Sequence, residues 1–235
     1  MCTIILFLFL LFSVTTFGQE LNADTTFTEY HEGLLWKYIK HNGTTIGSTC
    51  YKSRDKYGKY YQLRIYIYNE SNDLFVFHPE YISATITTKR NKVKSLLVYS
   101  YDKYMRKIER KQKWSMALNE FAVGFNSGMA AHKSAHVSGW SPRTGFYSGT
   151  VNYYDYGAAI SSNIQGAMYL DDLQERYDED RVIKSRGYLK ICTIRPVEYI
   201  IGYINIKRKS GKLLNVSIPV NNIVYNFCWN LQERY

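Results

Sequence analysis

The chain has 235 residues, carries a formal net charge of +10, and is 46% apolar and 16% aromatic. This apolar content is enough for a packed core and excludes a disordered chain. The four cysteines are too few for a fold built on disulfide bonds. The basic excess is compatible with nucleic acid, anionic lipid or acidic polysaccharide as partners, and equally with solubility alone.

The amino-terminal segment predicts export. Residues 4–12 are an unbroken apolar run, and Thr16-Phe17-Gly18 matches the small-x-small pattern of a signal-peptidase site. We expect a signal peptide at residues 1–18 and a polar leader at 19–29. The run is much shorter than the roughly 20 residues of a membrane-spanning helix, so no transmembrane segment is expected after cleavage. The expected location is the periplasm, the outer membrane or the extracellular medium, where nucleic acid is a poor candidate partner.

Cleavage leaves three cysteines, Cys50, Cys192 and Cys228. An odd number allows at most one internal disulfide. Cys192 and Cys228 both lie in predicted strands and could pair. Three free, partly buried thiols are an equal alternative.

Alternating apolar residues predict β-strands on both sides of the chain's middle. In the first block the alternating residues are Tyr61, Leu63, Ile65 and Ile67. In the second they are Ile223, Tyr225, Phe227 and Trp229. Asn221-Asn222 precedes this second run, and such a pair tolerates the left-handed backbone of a tight hairpin turn. We expect residues 30–100 and 186–231 to supply seven to nine short antiparallel strands.

Residues 101–185 between these blocks have helical periodicity. We place one helix at about 102–126 and another at about 159–184. Their predicted inner residues are Trp114, Leu118, Phe121 and Phe125 on the first helix, and Gly166, Leu170, Leu173 and Tyr177 on the second. Residues 128–157 are rich in Gly, Ser and Tyr without a sustained period, which predicts a long loop.

The predicted fold class is mainly β with an α insertion. Neither β block alone would close a sandwich, so 30–100 plus 186–231 are expected to form one discontinuous immunoglobulin-like antiparallel β-sandwich. A two-helix antiparallel hairpin, residues 101–185, interrupts it and protrudes from one edge.

Opposite charges occupy the two helix ends that such a hairpin brings together. Residues 103–113 contain six bases, and residues 171–180 contain six acids. Each run opposes its own helix dipole, and a facing helix of opposite charge offsets this. We therefore expect the runs to face each other; the alternatives are two separately solvated faces, or a membrane or polyanion bound to the bases. Because exposed ion pairs contribute about 0–1 kcal/mol each and a buried large apolar side chain about 1.5–3 kcal/mol, the apolar faces are expected to hold the helices together.

Two predicted β turns are also basic. One contains Lys89, Arg90, Lys92 and Lys94, and the other contains Lys207, Arg208, Lys209 and Lys212. If the turns share one end of the sandwich, they form a basic patch that suits an anionic glycan or a lipid headgroup. Protection of strand ends and solubility are the alternative roles.

Aromatic residues of the predicted loop form a second candidate binding surface. They include Trp140, Tyr147, Tyr153 and Tyr154. Exposed aromatics among Gly and Ser suit adhesive or sugar-stacking contacts. The same residues would equally suit a loop folded over the sandwich.

Sequence motifs of catalysis are lacking. There is no Gly-rich phosphate loop, no G-x-S-x-G and no H-E-x-x-H. His132 and His136 are spaced i, i+4 but have no third ligand near them in sequence, and Cys50 has no flanking signature of a nucleophile. We expect no cofactor, no metal and no catalytic residue.

The segments "YDKYMRKIERKQKW", "GYLKICTIRPVEYIIGYINIK" and "LNVSIPVNNIVYNF" resemble a group of uncharacterised exported proteins of Bacteroidota. The resemblance covers roughly residues 55–230 and implies a bacterial envelope setting with immunoglobulin-like strands. It implies no activity and no functional residues.

The sequence therefore predicts an exported, non-enzymatic envelope protein that acts by binding or by structural interaction, with another envelope protein as a further class of partner. The alternative is an envelope enzyme that acts on glycans through a site assembled from dispersed residues.

Overall fold

A computed structural model describes residues 25–143 and 145–232. The first β block contains β1 (Thr25–His31), β2 (Leu34–His41), β3 (Thr44–Asp55), β4 (Gly58–Asn69), β5 (Phe75–Phe77), a single 3-10 turn (Pro79–Tyr81), β6 (Ser83–Thr87), β7 (Val93–Leu96) and β8 (Val98–Tyr99). The middle contains α1 (Tyr101–Ala131), β9 (His132–Ser141), β10 (Gly145–Tyr154) and α2 (Tyr156–Ser185). The last block contains β11 (Cys192–Ile194), β12 (Tyr199–Lys207), β13 (Leu213–Val220) and β14 (Ile223–Asn230).

Two antiparallel sheets, each built from both β blocks, enclose one core. The larger sheet has the order β1-β2-β3-β4-β12-β8, and the smaller has the order β14-β13-β6-β7. A short β5–β11 pair joins the blocks again. Buried side chains of the two sheets belong to one hydrophobic cluster. The expected mainly β antiparallel fold with a two-helix insertion is thus confirmed, and we call these strands the sandwich.

Individual strand predictions hold for the alternating segments. Tyr61, Leu63, Ile65 and Ile67 are all buried on β4. On β14, Tyr225, Phe227 and Trp229 are buried and Ile223 is half-buried. Asn221 and Asn222 have φ of 46° and 64°, the left-handed geometry expected for the turn between β13 and β14.

The β region is larger than the sequence indicated. Twelve strands lie outside the middle segment in the described residues, not seven to nine. Residues 25–29, expected in a polar leader, instead belong to β1, where polar side chains are tolerated because every residue of this edge strand is exposed. The predicted signal peptide and the rest of the leader lie outside the described residues.

The predicted loop at 128–157 is wrong. Its residues form the last turn of α1, a β-hairpin of β9 and β10, and the first residues of α2. The two strands pair in continuous register from Tyr154–His132 to Gly145–Ser141. Their period of two is weak in the sequence because Ser, Gly and Thr fill eight of the twenty positions and interrupt the apolar residues. We call residues 101–185, from α1 to α2, the arm.

The two helices of the arm pack against each other antiparallel, but through a largely polar and small-residue seam. Val123 lies directly over Gly166, where an added Cβ would come within 2.1 Å of its side chain. Ser127 Oγ is 3.3 Å from Ser162 Oγ, and Tyr177 donates a 2.6 Å hydrogen bond to Ser115 Oγ. Helices therefore approach closely where side chains are small.

Candidate functional site

The apolar stripe of α1 points to solvent. The exposed fractions are 67% for Trp114, 65% for Leu118, 74% for Phe121 and 60% for Phe125. The prediction that this stripe holds the helices together is wrong, because the seam uses the opposite side of α1, with Gln112 and Ser127 buried there. The inner side of α2 is as predicted: Gly166 is buried, and Leu170, Leu173 and Tyr177 are half-buried.

The outer side of α2 is also apolar in its distal half, the half farther from the sandwich. Ile160, Ile164 and Met168 are each more than half exposed. Met129 extends the stripe of α1 to its carboxyl end with an exposed fraction of 62%. Both outer sides of the arm therefore carry large apolar side chains, which soluble monomers rarely gather into one extended surface. We call this set the apolar outer surface: Trp114, Leu118, Phe121, Phe125, Met129, Ile160, Ile164 and Met168.

Near the sandwich the outer sides are charged, with a different sign on each helix. Lys103, Arg106 and Arg110 are exposed on α1, and Asp171, Glu175 and Glu179 are exposed on α2. The two charged runs lie beside each other, as the 3.0 Å hydrogen bond from Gln112 Nε2 to the Tyr177 carbonyl shows, but their charges do not pair: among the described residues, no ion pair joins 103–113 to 171–180. The charges pair locally instead, Lys113 with Glu109 at 2.8 Å and Arg181 with Asp178, because Tyr104, Ile108 and Gln112 occupy the buried positions of α1 at this end.

The turn between β3 and β4 anchors the root of the arm. Asp55 accepts a 3.0 Å hydrogen bond from the Tyr104 hydroxyl and lies 3.1 Å from Lys184 Nζ, so it contacts both helices. Tyr57 donates to Asp180 and accepts a 2.8 Å hydrogen bond from Gln112 Nε2. Burial, together with the hydrogen bond to Asp180, raises the pKa of Tyr57 well above its ordinary value.

Tyrosine rings pack between the start of α1 and the sandwich, next to this turn. Tyr104 stacks on Tyr188 with ring centroids 5.0 Å apart and meets Tyr60 edge-on at 5.7 Å. Lys107 Nζ donates a 2.8 Å hydrogen bond to the Tyr60 hydroxyl, and its partial burial lowers its pKa. This packing fixes the direction in which the arm leaves the sandwich. Sequence periodicity does not indicate this cluster, because its tyrosines come from distant parts of the chain.

The predicted aromatic surface is placed on the β-hairpin at the end of the arm. Trp140 is 70% exposed and pairs across the strands with Phe146, next to the turn. Tyr153 and Tyr154 are each nearly half exposed near the helices, and Tyr154 packs on His132 and Tyr156. The side chain of Tyr147 lies outside the described part of the structure. The aromatics are thus split between the two ends of the β-hairpin and do not fold back over the sandwich.

The two basic turns lie side by side. Thr87, which ends β6, pairs with Leu213 at the start of β13, and Lys212 N–H donates to the Thr87 carbonyl at 2.7 Å. Lys89, Arg90, Lys92, Lys94, Lys207, Arg208, Lys209 and Lys212 therefore share one end of the sandwich, which we call the basic end. Within the described residues none of these eight forms an ion pair.

Comparisons identify no relative: no family model, no curated protein and no solved structure matches this chain. Among the described residues, no helix combines the length and the apolar character needed to cross a membrane.

The cysteines and histidines considered in the sequence do not come together as a disulfide or a metal-ligand cluster in the described residues. Cys50, Cys192 and Cys228 are free thiols in the structure, so the alternative of a Cys192–Cys228 disulfide is not formed here. Burial raises the pKa of Cys50 to about 12, which keeps this thiol protonated and poorly nucleophilic at neutral pH. His136 Nε2 contacts Ser148 Oγ at 2.9 Å, and the described residues contain no cluster of potential metal ligands.

A half-open cavity lies between the start of β2, the middle of β3 and the end of β14. Its volume is about 350 Å³, and Leu34, Tyr51, Tyr61 and Trp229 contribute to its lining. The lining residues include Lys52 but no carboxylate. Such a cavity suits an apolar group better than acid–base chemistry on a glycan, for which paired carboxylates are the usual requirement.

Proposed function

We propose that this protein is a non-enzymatic interaction protein of the cell envelope, in which the sandwich is a base and the arm is the binding element. The observation that carries the proposal is the apolar outer surface. It exposes eight large apolar side chains on an arm whose root is tied to the sandwich through Asp55. A partner that covers this surface would gain roughly 25 cal/mol for each Å² of apolar area removed from water.

Site-specific photocrosslinking in the native cells tests this proposal. A photoreactive amino acid at Leu118, in the centre of the apolar outer surface, is expected to give defined protein adducts. The matched control is the same amino acid at Val224, which is exposed on β14 with a fraction of 55% but lies far from the arm in the chain. If position 118 gives no adducts, or both positions give the same ones, the arm is not the binding element.

A second candidate function is the binding of an anionic glycan or lipid headgroup at the basic end. Its support is the juxtaposition of the two turns through the β6–β13 pairing. Such binding weakens with salt because exposed charges are screened over about 8–10 Å at physiological ionic strength. Binding through the apolar outer surface would persist, so a salt titration separates the two candidates.

A further inference from the structure

We infer that the partner of the arm is a second copy of the same chain, with the outer side of α1 in one copy packed against the outer side of α2 in the next. This inference rests on the proposed function and specifies its partner. The evidence is the arrangement of charge and apolar residues along the two outer sides.

The two outer sides are complementary in chemistry. Each has an apolar distal half and a charged half near the sandwich. The charges are Lys103, Arg106 and Arg110 on α1, and Asp171, Glu175 and Glu179 on α2. The basic side of one copy can therefore attract the acidic side of another, while the apolar halves exclude water.

The heights of residues along the arm determine how a neighbouring copy must be placed. Val123 lies over Gly166, and Ser127 contacts Ser162, so Phe125 and Ile164, which lie between these pairs, are level with each other. Nearer the sandwich, Gln112 donates a 3.0 Å hydrogen bond to the Tyr177 carbonyl, which brings Arg110 level with Glu179. By the same spacing Glu175 is level with Trp114 and Asp171 with Leu118, so a parallel neighbour at equal height would set these acids against apolar side chains. A neighbour displaced toward the sandwich by about eight residues, or about 12 Å at 1.5 Å per residue, instead places Arg110 against Asp171 and apolar side chains against apolar side chains.

Other arrangements conflict with the charges. Pairing α1 with α1 about a twofold axis places bases against bases, and pairing α2 with α2 places acids against acids; like charges in contact are unfavourable. An arm that ran in the opposite direction would set charged residues against the apolar half. The favoured contact is therefore heterologous, and its repetition with an axial displacement at each step produces a filament rather than a closed dimer.

The size of the surface is adequate. A buried aromatic side chain covers about 150–250 Å², so Trp114, Phe121 and Phe125, at 60–74% exposure, each present on the order of 100 Å². With Leu118, Met129 and the charged half, the outer side of α1 approaches the roughly 800 Å² per partner of a standard interface.

The β-hairpin supplies an independent observation. β9 and β10 pair only with each other in the described residues, so each leaves one edge free to pair. An isolated two-stranded ribbon is marginally stable in water, and a free edge is a template for another strand. Because β9 continues from α1 and β10 leads into α2, the same lateral contact brings β9 of one copy beside β10 of the next.

Charge-swapped variants of the full chain test the inference. The first variant is Lys103→Glu, Arg106→Glu and Arg110→Glu, and the second is Asp171→Lys, Glu175→Lys and Glu179→Lys. Sedimentation velocity is expected to show oligomers of the wild type and at least about tenfold weaker association of each variant alone, since like charges then face each other. An equimolar mixture of the two variants is expected to regain association, because every contact in an alternating assembly is again between opposite charges.

The outcomes separate the two proposals. A wild type that stays monomeric at about 100 µM, a concentration at which even weak association is detectable, overturns the inference. A mixture of the two variants that fails to associate also overturns it, provided that both variants retain the wild-type circular dichroism. If the monomer instead binds vesicles of phosphatidylethanolamine and phosphatidylglycerol, the partner is lipid and the inference is wrong. Photocrosslinks from position 118 to a different protein, without self-association, would leave the proposed function intact and overturn only the inference about the partner.

Discussion

At the scale of single residues, Asp55 has the largest structural role in the arm's root. Its carboxylate accepts from the backbone N–H groups of Tyr57 and Gly58 at 2.8 and 2.9 Å, from the Tyr104 hydroxyl, and pairs with Lys184. One side chain thus shapes the β3–β4 turn and ties it to the start of α1 and the end of α2.

Replacing this carboxylate tests its role. Asp55→Ala is expected to lower the free energy of unfolding by about 2–4 kcal/mol, because it leaves a buried hydroxyl, two backbone N–H groups and an ammonium without their shared acceptor. Urea denaturation followed by circular dichroism measures the change. The matched control is Asp73→Ala, at an exposed position where the observed hydrogen bonds go to the backbone carbonyl and are kept by Ala. It is expected to change stability by less than about 0.5 kcal/mol. Equal effects of the two variants would contradict the assignment.

At the scale of elements, the contact between α1 and α2 depends on a glycine. A Cβ at position 166 would lie 2.1 Å from Val123 Cγ1, whereas a Cβ at position 124, on the exposed side of α1, would meet nothing within 4 Å. The two glycines lie in similar helices, so their substitutions separate packing from helix propensity.

Gly166→Ala is expected to destabilise the protein by about 1–3 kcal/mol through overpacking against Val123. Gly124→Ala is expected to stabilise it by up to about 1 kcal/mol, the usual gain of Ala over Gly inside a helix. The double variant Gly166→Ala with Val123→Ala should recover much of the loss, because the smaller side chain makes room. Thermal unfolding of the variants provides the measurement, and a stabilising Gly166→Ala would show that the helices are not in close contact there.

The elements also show what a sequence can and cannot predict. Strands such as β4 were predictable because Tyr61, Leu63, Ile65 and Ile67 alternate and are all buried. The two helices were predictable in type and approximate position. The rotation of α1 about its own axis was not predictable, because the rule that apolar residues are buried fails for a helix whose apolar side faces solvent. Trp114 and Phe121 have the expected helical period, but they lie on the exposed side of the helix. The β-hairpin was missed because Ser, Gly and Thr interrupt its apolar residues, so that no sustained period of two remains.

At the scale of the whole molecule, the core is unevenly distributed. The main hydrophobic cluster contains residues of both sheets and, from the buried residues of α1, only Tyr104 and Ile108. Beyond Gln112 the buried positions of α1 are Ser127 and Ala131. Local stability is therefore expected to fall along the arm, because it depends on buried apolar contacts.

Hydrogen exchange measured by mass spectrometry tests this distribution. In the dilute monomer, amides of β9, β10 and the distal halves of α1 and α2 are expected to exchange faster than those of β4 and β12, which lie in the interior of the larger sheet. Raising the protein concentration should slow exchange in the distal arm and leave β4 unchanged, if association covers the arm. Uniform protection in the dilute monomer would contradict the expected gradient.

The length of the arm has a mechanical consequence. A helix of 31 residues spans about 45 Å at 1.5 Å per residue, and a strand of 10 residues adds about 30 Å. The turn at the tip can therefore stand roughly 75 Å from the sandwich along this contour. Over this length, a small change of angle at the tyrosine-lined root becomes a displacement of many ångströms at Trp140. The rigidity of a few ring contacts at the root therefore determines where the tip of the arm lies.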